Sequence, residues 1–262
     1  MKRTGLCSLF HMGVVAMSYP ASGDDLRPGI IGEDDRVRVE QEGVPWDAVG
    51  QVNIGGYRTS GQCTGTLVAP DLVITAAHCV INEWKRMPYP LKDIHFLPGV
   101  RGPERKGHGT AKCLRFLKDY VFLWPEAEEP STRPRDVPLP AFFQDAVAIV
   151  LNEALDVAPA PLAGNQNAQP GRALVHAAYP ADRRYALSAH FNCSLLRSGN
   201  DDPLWLVDCD THPASSGGPL FTINDGRLEI AAILVGAGSG LSNTALPISV
   251  WRNLVADNTC PS

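Results

Sequence analysis

Two adjacent serines stand in the stretch CDTHPASSGGPLF, residues 209–221, directly before two glycines and a proline. A serine on a glycine-rich loop can act as a nucleophile if a neighbouring base takes its proton. The same composition also forms ordinary tight turns, so the stretch alone is only suggestive. If one of the serines reacts with a carbonyl group, other parts of the chain must supply the base and a group that orients it.

His78 is the candidate base. It follows the apolar run LVITAA, and Cys79 comes directly after it. Cys63 lies one predicted hairpin upstream, so a Cys63–Cys79 disulfide would fix the loop that carries the imidazole. A fixed imidazole suits a general base because proton transfer requires hydrogen-bond geometry. We interpret five other histidines as structural or exposed: His95, His108, His176, His190 and His212.

Asp145 is the candidate group for orienting the imidazole. It stands in FFQDAVAIVLNEAL, immediately before an apolar strand, and lies between His78 and the serines in the chain. An isolated aspartate in this position would merely begin a strand. With a histidine and a serine available, its carboxylate can instead hold one imidazole tautomer, so that the other ring nitrogen takes the serine proton. Asp119, in KDYVFLW, is a weaker rival.

The elements that must position these residues are predicted to be β strands. Short runs rich in Val, Ile and Leu recur between turns, and 24 glycines and 22 prolines fit a chain with many turns. The proline-containing segment Asp156–Gly171 predicts a connector between two β units, and Pro125–Pro140 predicts a charged loop. SVWRNLVADN predicts one short C-terminal helix with Ser249 as its cap. The predicted strands are AVGQVNI, CTGTLVA, DLVITAA, AVAIVL, RALVHAA, PLWLVD, GPLFTI and LEIAAILVG.

The N-terminal region and the cysteines predict an exported protein. Residues 1–21 carry Met-Lys-Arg followed by an apolar run, which is typical of a signal peptide, and residues 22–30 form a short leader. Six cysteines would remain, and an even number in an exported chain predicts three disulfides. We expect Cys63–Cys79, then Cys193–Cys209 on adjacent strands, and Cys113–Cys260 by elimination.

Composition argues against several other functions. The formal net charge is −5, so no basic field suggests nucleic-acid binding. No Cys-x-x-Cys or closely spaced Cys/His pair suggests zinc, and we expect no metal or cofactor. No segment reaches membrane-spanning length. We therefore expect a soluble, secreted or periplasmic monomer.

The motifs TAAHC, QDAVAIVLNEAL and SSGGPLF, in this order, resemble the trypsin-like serine endopeptidases. IIGEDDRVRV, VPWDAVGQV and CTGTLVAPDLVITAAHCV resemble the bacterial branch that includes the glutamyl endopeptidases. The resemblance implies an all-β fold of two antiparallel six-stranded β-barrels, chymotrypsin-like, with the active site between them. Residues 31–157 would form the first barrel with His78 and Asp145, and residues 158–262 the second with Ser216 and the terminal helix.

The resemblance assigns the nucleophile to Ser216 and the oxyanion hole to the backbone N–H groups of Ala214 and Ser216. It implies hydrolysis of peptide bonds in protein or peptide substrates, independent of calcium. The family usually has glycine where this chain has Ala214, and a positive φ would cost alanine about 1 kcal/mol. Trypsin has aspartate where this chain has Ser215, so activation through that ion pair is not expected.

The resemblance places Asp210, Thr211 and Leu234 at the substrate pocket. Asp210 lies six residues before Ser216, as the acid that selects basic residues does in trypsin, but it could equally brace the loop backbone beside Thr211. Leu234 stands where glutamyl endopeptidases have a histidine, so cleavage after glutamate is not expected. Another function class also remains: a catalytically impaired homologue that acts as a binding or adhesion module.

Overall fold

The computed structural model describes residues 28–56, 60–118, 120, 142–164, 169–199, 203–238 and 240–261. The predicted signal peptide, most of the leader, Asp119 and the Pro125–Pro140 loop lie outside these residues. Within them the chain forms fifteen strands: β1 Val37–Arg38, β2 Val49–Ile54, β3 Gly61–Ala69, β4 Leu72–Thr75, β5 Ile81–Asn82, β6 Met87–Pro88, β7 Ile94–Pro98, β8 Gly109–Phe116, β9 Val147–Leu151, β10 Ala173–Ala178, β11 Ser188–Ser198, β12 Trp205–Val207, β13 Pro219–Asn224, β14 Arg227–Gly236 and β15 Asn243–Pro247.

The first barrel is closed by six antiparallel strands in the order β2-β3-β4-β9-β8-β7. β2 pairs on both sides, so that Val52 lies opposite Cys63 of β3 and Phe96 of β7. All residues of β4 and β9 are buried, which explains their unbroken apolar sequences. β5 and β6 form a separate two-stranded hairpin.

The second barrel also has six antiparallel strands, in the order β11-β10-β13-β14-β15-β12, and pairing of β12 with β11 closes it. β1 adds a seventh strand beside the first residues of β11, where Val37 lies opposite Ala189. The segment before β2 therefore packs on the second barrel, and β2 is the first strand of the closed first barrel. The two-barrel, all-β prediction is confirmed.

All eight predicted strand runs form strands, but these runs do not include β1, β5, β6, β7, β8, β11 or β15. In β8 the buried residues Gly109 and Ala111 give way to a half-exposed end, so its alternation is weak. The C-terminal helix is shorter than predicted: an α-helix, α1 Ile248–Trp251, continues as a 3-10 turn, Arg252–Val255. The prediction that Ser249 caps the helix is wrong, because the helix begins after Pro247 and has no side-chain cap.

Three disulfides join the cysteines as predicted: Cys63–Cys79, Cys113–Cys260 and Cys193–Cys209. The second of these ties the end of the chain to β8 of the first barrel. In the described part of the chain, no helix has the length and apolar character needed to cross a membrane.

Candidate active site

His78 lies on a 3-10 turn, Ala77–Val80, that follows β4 directly. Ala77 and Val80 are fully buried, so the turn is packed into the first barrel while the imidazole remains partly exposed. The Cys63–Cys79 disulfide joins this turn to β3. Packing and the disulfide together fix the backbone of the residue that carries the imidazole.

Asp145 holds the imidazole through two contacts. Its Oδ2 lies 2.6 Å from His78 Nδ1, and its Oδ1 accepts the backbone N–H of His78 at 2.9 Å. β4 and β9 are adjacent, with Thr75 opposite Val147, so residues just after β4 and just before β9 meet at one end of the barrel. The carboxylate is 4% exposed, against 19% for the imidazole. This arrangement brings together the two residues that the sequence nominated.

The surroundings of His78 shift its pKa. Burial is the largest influence and lowers the pKa, but the charge of Asp145 and its hydrogen bond raise it, and the charge of Glu83 adds to them. The net result is a pKa above the ordinary value of 6.5. The Asp145 contact also directs the Nδ1 proton toward the carboxylate, which leaves Nε2 as a proton acceptor.

Ser216 lies on a loop that is wedged between the barrels. The backbone N–H of Thr64 in β3 donates to Ser216 O at 2.9 Å, and the Thr64 hydroxyl donates to Ala214 O at 3.1 Å. The loop is also hydrogen-bonded to β14 of its own barrel, since the N–H of Gly217 donates to Leu234 O at 2.7 Å. The first barrel thus holds the serine loop of the second barrel from one side.

The two serines differ in accessibility. Ser216 is partly exposed, whereas Ser215 is 1% exposed and its hydroxyl accepts only a long contact, 3.4 Å, from the N–H of His212. In the described part of the chain, no hydrogen bond joins the Ser216 hydroxyl to the imidazole, although both residues border the same cleft. Such catalytic hydrogen bonds are often long before substrate binds.

Ala214 adopts a φ of 76°, in the left-handed region. This is the conformation that the sequence comparison with glycine-bearing relatives anticipated, and alanine tolerates it at a cost of about 1 kcal/mol. Among the described residues, no acceptor takes the N–H group of Ala214 or of Ser216. Both groups are therefore available to a ligand at the position where the sequence placed an oxyanion hole.

A cleft of about 530 Å³ separates the two barrels at this point. His78 from the first barrel and Ser216 from the second both line it. The wall from the first barrel comprises Ile54, Ser60–Cys63, Cys79, Ile81, Glu83, Trp84 and Tyr89; Phe142 and the second barrel, with Pro213, Ala214 and Val235–Ala237, complete the lining. A cleft of this volume accommodates several side chains of an extended peptide.

The residues that the sequence assigned to the substrate pocket do not border this cleft. Leu234 is buried in the core of the second barrel. Asp210 is 1% exposed and accepts the backbone N–H groups of Ile31 and Asp35, each at 2.8 Å. Thr211 is also buried, and its N–H donates to Gly29 O. Asp210 and Thr211 thus anchor the segment before β1, which fits the bracing alternative for Asp210.

The sequence missed the residues that shape the cleft beside the reactive groups. Glu83 and Trp84 follow His78 by five and six residues, and Phe142 precedes Asp145 by three. Proximity in sequence to His78 and Asp145 was the available signal. None of the five other histidines is among the residues that line the cleft; His95 and His108, for example, stack on each other with a nitrogen separation of 2.9 Å.

Three groups of side chains in the described residues have the spacing of metal ligands. Two of them rely on cysteines that are joined in disulfides, which cannot act as thiolate ligands. In the third, Asp210 already accepts two N–H groups, and Nδ1 of His190 accepts the N–H of Asp210 at 2.9 Å. These two potential ligands, Asp210 and His190, are thus already engaged in hydrogen bonds within the protein.

The chain is similar to known proteins in sequence and in fold. A "Modular serine protease" of Drosophila melanogaster is 68% identical over 102 residues, which are 37% of this chain and 14% of that protein. The structure of a "Glu endopeptidase in complex with MPD" matches with a TM-score of 0.67 and 19% identity, over 87% of this chain and 100% of the other. The VesB protease of Vibrio cholerae gives a TM-score of 0.63 at 15% identity, over 84% and 65%.

At these identities the two structures share the fold with this chain, the two-barrel fold of chymotrypsin-like serine proteases. The matched Drosophila protein is much longer than the region that aligns with it. The family described as "Trypsin-like peptidase domain" matches residues 63–229, more than half of the chain and a range that contains His78, Asp145 and Ser216. The chain therefore belongs to the trypsin-like peptidase family.

Proposed function

We propose that this protein is an exported serine endopeptidase that hydrolyses peptide bonds through His78, Asp145 and Ser216. The observation that carries the proposal is the His78–Asp145 pair, with its contacts of 2.6 and 2.9 Å, because His78 of this pair lines the same cleft as Ser216. Membership of a peptidase family supports the same conclusion. The cleft lies between two barrels and is open enough to admit an extended chain.

In the proposed reaction, Ser216 Oγ attacks the carbonyl carbon of the scissile bond while His78 Nε2 accepts the hydroxyl proton. The tetrahedral intermediate collapses when the C–N bond breaks, and the imidazolium gives its proton to the leaving amine. Water then attacks the acyl-enzyme by the same route and releases the acid. Asp145 keeps the imidazole oriented and stabilises its positive charge throughout.

The N–H groups of Ala214 and Ser216 are proposed to bind the oxyanion of both tetrahedral intermediates. Loss of one such donor typically costs about 3 kcal/mol of transition-state stabilisation. The rival function, a catalytically impaired binding module, drew its support from Ala214. The observed φ of 76° weakens that rival, because alanine adopts the backbone conformation for which relatives use glycine.

Export is part of the proposal. Three disulfides within one chain are typical of proteins that fold in an oxidising compartment. The predicted signal peptide at residues 1–21 would direct the chain there, to the periplasm or the exterior.

Labelling with a serine-reactive phosphonate tests the catalytic proposal. We expect one label per chain, mapped by mass spectrometry to Ser216, together with hydrolysis of a denatured protein substrate. Ser216→Ala should abolish labelling and lower kcat by about 10⁶-fold. Ser215→Ala is the matched control and should keep both activities, because that hydroxyl is buried and has no chemical step. A label on Ser215, or none on the folded protein, would contradict the proposal.

A further inference from the structure

The cleft is acidic on the side of the first barrel. Among the described residues that line it, Glu83 is the one carboxylate, and there is no lysine or arginine. The remaining titratable side chains among them are His78 and Tyr89. Among these described residues an acidic substrate side chain would find no lysine or arginine. A basic one would find a carboxylate.

Glu83 is held at this wall by a short hairpin. β5 and β6 pair through Ile81 with Pro88 and Asn82 with Met87, so residues 83–86 form the turn between them. Asn82 secures the turn, since its side chain accepts the N–H of Lys85 at 3.0 Å and its carbonyl accepts the N–H of Arg86 at 2.8 Å. Lys85 and Arg86 are exposed and do not line the cleft.

The charge of Glu83 reaches the interior of the cleft. It contributes to raising the pKa of His78 and, after burial, that of Tyr89. Glu83 is half-buried, and no described residue forms a hydrogen bond or ion pair with its carboxylate. A partly desolvated carboxylate without a cation is a favourable partner for an ammonium or guanidinium group.

Two aromatic side chains line the cleft together with this carboxylate. Trp84 is next to Glu83 in the chain and 59% exposed, and Tyr89, half-buried, directly follows β6 and feels the charge of Glu83. The aliphatic stem of a lysine or arginine can cover an indole face while its cationic end interacts with the ring. Such an exposed apolar surface beside a carboxylate suits a long basic side chain better than a short or acidic one.

We propose that Glu83, Trp84 and Tyr89 form a subsite that binds a lysine or arginine side chain of the peptide substrate. The inference rests on the proposed endopeptidase function, and it adds a specificity-determining residue, Glu83, to it. The basic side chain belongs to a substrate residue near the scissile bond, because Glu83 and Ser216 line the same cleft.

A peptide series tests the subsite. Each position on either side of the scissile bond is occupied in turn by lysine, arginine, norleucine or glutamate, and kcat/KM is measured. We expect one position at which lysine and arginine exceed norleucine by about tenfold, with glutamate poorest. In Glu83→Gln this ratio should fall close to one, and Glu83→Asp should restore part of it. Glu153→Gln removes an exposed carboxylate elsewhere and should leave the ratio unchanged.

Binding to the Ser216→Ala protein separates this inference from the proposed function. Calorimetric titration should show that the preferred lysine peptide binds about tenfold more tightly than its norleucine analogue, and that Glu83→Gln removes the difference. Charge-dependent binding without hydrolysis by the unmodified protein would overturn the peptidase proposal and support the subsite. Equal affinities in binding, or a lysine preference that persists in Glu83→Gln, would overturn the subsite.

Discussion

The His78–Asp145 pair determines the pH at which the proposed base can act. Neutral imidazole is the form that accepts the serine proton, so kcat/KM rises with pH as His78 loses its own proton. Because the pKa of His78 is raised, we expect the acid limb of the kcat/KM profile to have its midpoint above pH 6.5. The profile is measured with an uncharged substrate, and a midpoint below 6.5 would contradict the assignment.

Glu83 makes a second, smaller contribution to this titration. Its charge helps to raise the pKa of His78, so Glu83→Gln should move the acid limb of the kcat/KM profile to lower pH.

The raised pKa of His78 also has a consequence for folding stability. A raised folded-state pKa favours the protonated state, so His78 stabilises the fold below the unfolded pKa, and this contribution is lost as pH rises through the folded pKa.

The candidate catalytic residues could be nominated from the sequence because each belongs to a local motif. His78 follows a strand and adjoins a cysteine, and Ser216 precedes a glycine pair. The positions of Asp210 and Leu234 in the fold were harder to predict, because their neighbours in the structure are residues far away in the chain. The contacts of Asp210 with Ile31 and Asp35 span 179 and 175 positions, and no pattern around Asp210 announces them.

The loop that carries Ser216 depends on glycine at position 217. Its φ is +80°, and a Cβ there would lie 2.1 Å from Thr75 Oγ1 and 2.3 Å from Thr64 O. Both neighbours belong to the first barrel, so an added methyl group would push the barrels apart or displace the serine. Gly217 therefore serves close contact between the barrels as well as the turn.

Gly226 offers a matched control for this prediction. It has a φ of +75° in the β13–β14 turn, but a Cβ there would meet nothing within 4 Å. Gly226→Ala should cost about 1 kcal/mol of unfolding free energy from backbone strain alone. Gly217→Ala should cost more than about 3 kcal/mol and most of the activity. Chemical denaturation and kcat/KM measure both, and equal losses would mean that contact between the barrels is not the reason for glycine.

Strands that are buried on both faces were predictable, and their partners were not. The apolar runs in the sequence predict β4 and β9 as strands. Their pairing, however, joins residues more than 70 positions apart, such as Leu72 and Val150. β1 illustrates the limit further. Its two residues, Val37 and Arg38, are exposed. It pairs with β11, and all strands of the first barrel lie between β1 and β11 in the chain. Such long-range pairing follows from the closed fold, which the family resemblance supplied.

Two segments, the residues before β2 and the C-terminal residues, connect one barrel to the other, and we call them straps. The N-terminal segment crosses to the second barrel, where the buried side chain of Arg36 forms an ion pair with the exposed Asp182 at 2.7 Å. At the other end of the chain, the Cys113–Cys260 disulfide returns the C-terminal residues to the first barrel. The residues of both straps are not among the described residues that line the cleft.

The two disulfides of the first barrel should therefore affect different properties. Cys113 and Cys260 are separated by 147 positions, and Cys63 and Cys79 by 16. Loop-closure entropy predicts a stabilisation of about 5 kcal/mol for the first disulfide and about 3 kcal/mol for the second. Cys113→Ala/Cys260→Ala should thus lower the unfolding free energy more than Cys63→Ala/Cys79→Ala does.

Activity should respond in the opposite order. The Cys63–Cys79 disulfide borders the cleft and holds the turn that carries His78, so its removal should lower kcat/KM under conditions in which the protein remains folded. The Cys113–Cys260 pair lies away from the cleft, and its removal should leave kcat/KM nearly unchanged under the same conditions. Denaturant titration and peptide hydrolysis on the two double variants provide the comparison. A variant lacking Cys113–Cys260 that is folded but inactive would show that the C-terminal strap also positions the catalytic residues.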